Sequence, residues 1–397
     1  MNIVFLFLSF NGIGDDRGMY GDLVCEFAKR GYNVYIIAPS KDKRTYIEHK
    51  NNIYIKWVKS LSLINVSYIT KAIANLCLPY LLLKASKDFL PNNISLIISP
   101  TPPITLTSVI KRIKKKHNAK FYLILRDIFP QNAVDLGLIK NDSFIHKILR
   151  KKEANLYKTA DWIGCMSQGN IDYLLHFNPY IKAENVELLP NWIDTRKELK
   201  HTNSKFLKDY NIENKFVAIF GGNLGIAQKP SNIIDLAELY KENDNIVFLI
   251  IGKGIHKNLI KDLIHSKKLT NVLLLDHVPR DEFEKLACNC NVGLVSLNGN
   301  FTIPNIPSRT LGYWQASLPI FAIIDKKTDY GTNILDKYKG GLWCIEGNFK
   351  EYKEKFDLIY NNPQLSKDMG KNGLKAISEE YNVENIVNII LKHDNIH

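Results

Sequence analysis

KFVAIFGGNLGIAQKP (Lys215–Pro230) places a short aromatic and β-branched run directly before two glycines and ends on a proline suited to a helix start. That order reads as a buried strand, a tight turn and a new helix. Gly221 and Gly222 let the backbone approach a ligand, Asn223 offers an amide donor, and Gln228 and Lys229 can reach back toward it. The alternative is a plain strand-to-helix turn that binds nothing. The design recurs at IIGKGIHKNL (Ile250–Leu259), where Gly252, Lys253 and Gly254 follow a second apolar run. Lys253 is there either a phosphate partner or simply exposed. A third instance is IPSRTLGYWQASLPIFAII (Ile306–Ile324), in which Ser308 reads as a helix N-cap and Arg309 falls in the first turn. A cation at that position opposes the helix dipole unless an anion lies close by. Arg309 is therefore either a ligand of an anionic group or half of a structural ion pair. Bare amides at helix starts also favour negative charge, so the turns at Phe220–Pro230 and Ile306–Ile324 point to a phosphate-bearing ligand, while the lone GxG at Gly252–Gly254 is a weak signal.

Outward from these turns, short apolar runs alternate with helix-length amphipathic segments along the whole chain. Strands are expected at Asn2–Ser9, Asn33–Ala38, Ile53–Val58, Ser95–Ser99, Lys120–Leu125 and Trp162–Met166. Helices are expected at Gly18–Arg30, Thr105–Lys116 and Ser143–Tyr157. The rhythm weakens at Leu189–Asp194 and resumes with strands at Phe216–Phe220, Asn245–Ile251, Asn271–Leu275, Asn291–Ser296 and Leu318–Ile323. Parallel neighbours require a crossover helix, so this rhythm predicts an α/β protein with two doubly wound parallel sheets. The expected domains are residues 1–195 and 205–375, joined by a linker at 196–204, with a last helix at 376–397 packing back on the first domain. Ligands bind outside the carboxyl ends of parallel strands, which predicts a cleft between the two domains. In the first domain those ends carry Gly12, Gly14, Asp15, Asp16 and Arg17, and later Arg126 and Asp127. Asp127 would contact a sugar or a base, or else cap the next helix.

At 397 residues, 45% hydrophobic and 11% aromatic, the chain is too long for one ordinary core and too apolar to be disordered. The net charge of +13 concentrates at Lys111–Lys116 and Lys147–Lys152. It reads as solvated helix faces, as attraction to anionic lipid or phosphorylated substrates, or as a nucleic-acid footprint. No helix-turn-helix, zinc-finger or RNA-binding signature accompanies the charge, so nucleic acid is not an expected partner. Six cysteines without a CxxC pair, and ten histidines without HExxH, predict a reduced, cytoplasmic protein with no disulfide framework and no metal site. MNIVFLFLSF lacks a basic start and reads as a buried strand, not a signal peptide. Within Leu61–Leu90 the charge-free stretch Ala72–Leu83 is too short to span a bilayer, leaving core burial or membrane-surface contact.

These segments resemble those of glycosyltransferase family 4, of the GT-B fold, most of all bacterial members that build O-antigen or capsule repeats. RDIFPQNAVDLG (Arg126–Gly137) resembles the family's R-D-L-W-P-E-x-x-x-x-x-G, and MSQGNIDYL (Met166–Leu174) its V-S-E-G-M. LPNWIDTRK (Leu189–Lys197) resembles P-N-G-V-D, while GGNLGIAQ and IPSRTLGYWQASLPI resemble the nucleotide-binding segments of the second domain. The resemblance covers nearly the whole chain. It implies a nucleotide-sugar donor held by the second domain, an acceptor held by the first, transfer with retention, and no required metal or cofactor.

On that resemblance Asp127 and Arg309 are the candidate catalytic residues. Gly14, Arg17, Gly222, Asn223, Gln228, Lys229, Gly252, Lys253, Gly254 and Ser308 are the candidate substrate-binding set. The implied reaction transfers a sugar, N-acetylated or deoxy, from a UDP-sugar to a lipid-linked oligosaccharide, with UDP as the leaving group, at the inner face of the cytoplasmic membrane, whose anionic surface the basic clusters would favour. Departures also show. Asn223 and Gln228 stand where many relatives carry Arg and Lys, Gly312 and Pro304 stand at two family glutamates, and Gln131 and Gln168 replace two more. Two other readings stay open: a catalytically degenerate relative that binds a partner transferase, and an epimerase of the same architecture.

Overall fold

The protein is described here by a computed structural model that covers residues 1–14, 17–42, 44–61, 68–196, 199 and 205–393. Asp15 and Asp16, residues 62–67 of the apolar segment, and most of the expected linker at 196–204 lie outside the described residues. The chain divides into two compact units, one comprising residues 1–190 and 383–397 and the other residues 191–382.

The first unit is built on eight strands: β1 (Asn2–Leu6), β2 (Asn33–Pro39), β3 (Tyr46–Lys50), β4 (Ile53–Val58), β5 (Ile94–Pro100), β6 (Lys120–Leu125), β7 (Trp162–Cys165) and β8 (Val186–Leu188). They lie in the order β3-β4-β2-β1-β5-β6-β7-β8. β1 is buried along its whole length and pairs in parallel with both β2 and β5, as a continuous apolar run requires when helices cover both faces. The sheet is not wholly parallel: β3 pairs antiparallel with β4 through a two-residue turn at Asn51–Asn52, with Asn51 at φ +54°. Asparagine tolerates that left-handed conformation, which suits a tight hairpin. All five residues of β3 are exposed, so no apolar alternation marked it in the sequence.

The second unit holds β9 (Phe216–Asn223), β10 (Ile246–Lys253), β11 (Val272–Leu275), β12 (Val292–Ser296), β13 (Ile320–Ile324) and β14 (Gly341–Ile345), in the order β11-β10-β9-β12-β13-β14. All its neighbouring pairs are parallel. Phe220, Phe248, Phe321 and Phe356 anchor its core. β9 and β10 run past the expected ends at Phe220 and Ile251, and Gly252 pairs with Gly222 and Lys253 with Asn223.

The division falls at Pro190, before the expected boundary at 195. Asn191 and Asp194 are tied into the second unit, where Asn191 Nδ2 donates to the Ile306 carbonyl (3.1 Å) and Gln315 Nε2 to that of Asp194 (3.2 Å). The helix Pro363–Glu379 also belongs there. Only the following helix, Val383–Leu391, joins the first unit, where Arg30 donates to Asn388 Oδ1 (2.6 Å) and to the Glu384 carbonyl (2.8 Å). The helix Tyr68–Lys87 buries Leu78 and Leu82 and leaves Tyr80 exposed. Among the described residues no helix is long and apolar enough to cross a membrane.

The first unit also encloses a carboxylate. Glu153 is fully buried, ion-paired to Arg150, and accepts from Tyr157 Oη at 2.7 Å. Burial pushes its carboxyl up to about 7, against the lowering pull of Arg150 and Tyr157. The folded state therefore holds a proton that the unfolded chain has lost between the ordinary glutamate value and about 7. Stability is highest below that window and falls as pH rises through it, by roughly 2–3 kcal/mol. Urea unfolding from pH 5 to 8 should show this decline in the parent protein and a flatter profile in Glu153→Gln.

Candidate functional site

In the second unit the carboxyl ends of β9 and β10 meet backbone to backbone. A Cβ placed on Gly252 would lie 1.9 Å from the Gly222 carbonyl oxygen, and one on Gly254 2.5 Å from that of Leu224. The glycines that looked like two separate turns are thus one structure, closed by Leu224 N–H donating to the Lys253 carbonyl (2.9 Å) and His256 N–H to that of Leu224 (2.9 Å). The segment that follows β9 is pinned by Asn298, whose N–H and Nδ2 donate to the Ala227 and Ile226 carbonyls. Asn223 and Gln228 flank Gly225: a Cβ there would lie 2.7 Å from Asn223 Nδ2 and 3.3 Å from Gln228 Oε1. Gln228 Oε1 is buried with no hydrogen-bond partner among the described residues.

Arg309 enters this structure from the helix Arg309–Gln315. Its guanidinium carbon stacks 4.3 Å from the centre of the Phe220 ring, and its Nη2 would lie 3.4 Å from a Cβ on Gly222. Nη1 is buried without a hydrogen-bond partner, and no carboxylate among the described residues pairs with Arg309. Burial lowers the guanidinium's pKa from its ordinary value, opposed by Tyr313 and Tyr330, yet arginine starts so high that it stays charged. Arg309 as a whole is half-buried, but a buried Nη1 without a partner is costly, so no structural ion pair is seen among the described residues and the orphaned donor is open to an acceptor. Tyr313 Oη accepts the Gly221 N–H at 3.0 Å and ties the same helix to the glycine strand end.

Two members of the expected set are placed differently. Lys229 is ion-paired to Glu346, whose other oxygen accepts the Gly299 N–H, so this cation already has a protein partner. Ser308 does not cap its helix. Its backbone is already helical (φ −66°, ψ −21°), whereas a side-chain cap needs an extended residue, and the Pro307 and Ser308 carbonyls accept the Thr310 and Leu311 N–H groups instead. Lys253 is exposed at the end of β10.

In the first unit, Asp127 follows β6 and does not cap the next helix, Gln131–Asp135, whose N-cap position is Pro130. Buried Thr101 Oγ1 accepts the N–H groups of Arg126 (2.9 Å) and Asp127 (3.3 Å). The Asp127 side chain retains solvent access, but surrounding protein raises its carboxyl pKa while Arg126 pulls it down. Tyr20 beside them is pushed up to about 12 by burial. Arg17 donates to the buried carboxylate of Asp22 at 2.7 Å, and exposed Gly14 accepts the Arg17 N–H at 3.2 Å. Arg17 is therefore anchored to its own unit.

The chain matches two family descriptions in tandem: "Glycosyltransferase Family 4" over residues 20–197 and "Glycosyl transferases group 1" over residues 203–376. The chain belongs to the family 4 glycosyltransferases. It is 24% identical over 250 residues to "Probable glycosyltransferase WbjE" of Pseudomonas aeruginosa, a match spanning 62% of this chain and 62% of that relative. Its structure is similar to sucrose-phosphate synthase of Thermosynechococcus elongatus, with a TM-score of 0.77, 13% identity, and coverage of 100% of this chain and 98% of the other. It is also similar to Anabaena HepE in complex with UDP, with a TM-score of 0.70, 13% identity and 99% coverage of both chains. These likenesses establish the two-domain GT-B fold.

Two departures from the family pattern, Gln131 and Gln168, have local explanations in this glycosyltransferase. Gln131 and Gln168 each donate at 2.8 Å to a carboxylate one helical turn on, Asp135 and Asp172. A glutamate at either position would repel that neighbour. At Gly312, by contrast, a Cβ would meet nothing within 4 Å, so packing does not demand glycine there. Sequence reasoning missed Phe220, Tyr313, Glu346 and Asn298 as parts of the site. Phe220 and Tyr313 read as core, and Glu346 reaches Lys229 from 117 residues away, a pairing that no local pattern signals.

Proposed function

We propose that this glycosyltransferase moves a sugar, N-acetylated or deoxy, from a UDP-sugar to a lipid-linked oligosaccharide at the inner face of the cytoplasmic membrane. The product would serve a cell-surface polysaccharide such as O-antigen or capsule. The observation that carries the reading is the Arg309 guanidinium, stacked on Phe220 with its buried Nη1 lacking a hydrogen-bond partner among the described residues, against the side-chain-free backbone of Gly222. As the anomeric C–O bond to the diphosphate breaks, negative charge grows on the leaving oxygens, and a preorganised cation stabilises that state more than the ground state. Asn223 and Gln228 supply amide contacts beside it, Gly252 and Gly254 shape the floor, and Lys229 supports the segment through Glu346. The reading has the sugar transferred with retention and without a metal. Asp127, Gly14 and Arg17 face the acceptor or the donor sugar. The UDP bound to the structurally similar Anabaena HepE supports this donor class.

Thermal unfolding with UDP, GDP and dTDP, followed by UDP-sugars, tests the donor site. A ligand that binds only the folded state at about 100 times its Kd adds roughly 2.7 kcal/mol of stability. Selective stabilisation by UDP is the expected result. Stabilisation by GDP or dTDP alone would overturn the base assignment, and no shift at millimolar concentration would remove the donor site altogether.

A further inference from the structure

The exposed first turns of the helix Phe144–Tyr157 carry an apolar face that the donor site does not use. Phe144 is 79% exposed, Ile145 62% and Ile148 40%, a concentration of large apolar side chains that burial in the protein does not explain. At helical spacing these three share one arc, and exposed Lys147 and Lys151 run along its edge one turn apart. Exposed Lys140 and Leu138 (48% exposed) extend the patch into the preceding loop, and exposed Asp142 offsets part of the charge. The opposite side packs inward: His146, Glu153, Leu156 and Tyr157 are buried.

Topology places this turn. β6 and β7 are parallel, so the chain leaving the carboxyl end of β6 must return to the amino end of β7. The helix ends at Tyr157, just before β7 begins at Trp162, so its first turn lies at the carboxyl edge of the sheet. That is the edge on which Asp127 follows β6 and Arg17 follows β1.

We propose that residues 138–151 form the edge that this protein docks into an anionic lipid bilayer, with Phe144, Ile145 and Ile148 entering the headgroup–acyl boundary. Lys140, Lys147 and Lys151 meet the anionic headgroups. Apolar insertion and cationic attraction together define an interfacial amphipathic helix, and the lysines favour a bilayer over an apolar protein partner. Resting on the lipid-linked acceptor of the reading above, the assignment adds how that acceptor arrives: docking on this edge holds the lipid's polar head beside Asp127.

Vesicle co-sedimentation of the full chain provides the test, with phosphatidylglycerol-containing and pure phosphatidylcholine vesicles, at low and high salt. The parent protein should bind the anionic vesicles selectively and lose binding as salt rises. Phe144→Ser/Ile145→Ser and, separately, Lys147→Glu/Lys151→Glu should each weaken that binding at least about tenfold. Both variants should keep the parent melting temperature and its response to UDP. Equal binding to both vesicle types, or anionic binding unchanged in both variants, would overturn the proposal. Concentration-dependent self-association abolished by the Ser variant would reassign the face to a protein interface. Intact vesicle binding with no response to any nucleotide would leave the docking edge standing and remove the donor reading instead.

Discussion

Arg309→Ala should lower sugar transfer by about 10²–10³-fold, the loss expected when one preorganised charge-stabilising group is removed from a reacting centre. That factor corresponds to about 3–4 kcal/mol of transition-state stabilisation. The same substitution should leave the melting temperature of the free protein unchanged. Alanine loses the stack on Phe220 but also removes a desolvated Nη1 that has no hydrogen-bond partner among the described residues, and the two effects offset. The UDP-induced rise in melting temperature should shrink in parallel with turnover. Arg309→Lys should recover only part of the rate, because an ammonium neither stacks flat on Phe220 nor presents a planar fork to a diphosphate. Parent-level turnover in Arg309→Ala would end the role assigned to this residue; a variant that fails to fold would show the cation to be structural after all.

Gly252→Ala should be among the most damaging single methyls in the second unit, level with Gly370→Ala by the closeness of the backbone clash. Its Cβ would sit 1.9 Å from the Gly222 carbonyl oxygen, a backbone atom that cannot rotate away. β9 and β10 pair at that residue, so relief requires breaking the pairing or displacing the strand end that carries Asn223. A destabilisation of about 3 kcal/mol or more follows, which for a unit of this size lowers the melting temperature by roughly 6–12 °C. Donor binding should fall with it, since the same displacement moves the Gly222 backbone away from Arg309. Gly312→Ala is the matched control. Its Cβ meets nothing within 4 Å and it lies inside a helix, so alanine should stabilise by about 0.5–1 kcal/mol. Differential scanning calorimetry of the two variants distinguishes a required glycine from a permitted one, and equal melting temperatures would contradict this account of the strand ends.

Much of the fold was legible because parallel strands buried on both faces must be apolar throughout. β1, β9, β10 and β13 announce themselves this way. β3 did not, since an exposed edge strand has no buried face to imprint a pattern. The strand ends at Gly222 and Gly252 were legible as glycine-rich turns but not as a pair, since their register links segments thirty residues apart. Ser308 misled for a local reason. Serine before a helix is a good cap only when its own backbone is extended, and the Pro307 turn already bends it into the helix.

What the sequence determined by itself was the alternation of strands and helices, the two-domain α/β class, and the segments that carry glycines, Asp127 and Arg309. Those follow from periodicity and residue chemistry, which are properties of neighbours along the chain. Tertiary structure decided which candidates act together. It set Arg309 on Phe220 above Gly222, assigned Lys229 to Glu346, and turned Arg17 onto Asp22. Whether a charge is free or spent depends on what lies within a few ångströms of it. That distance is fixed by strand register and helix packing, not by spacing in sequence.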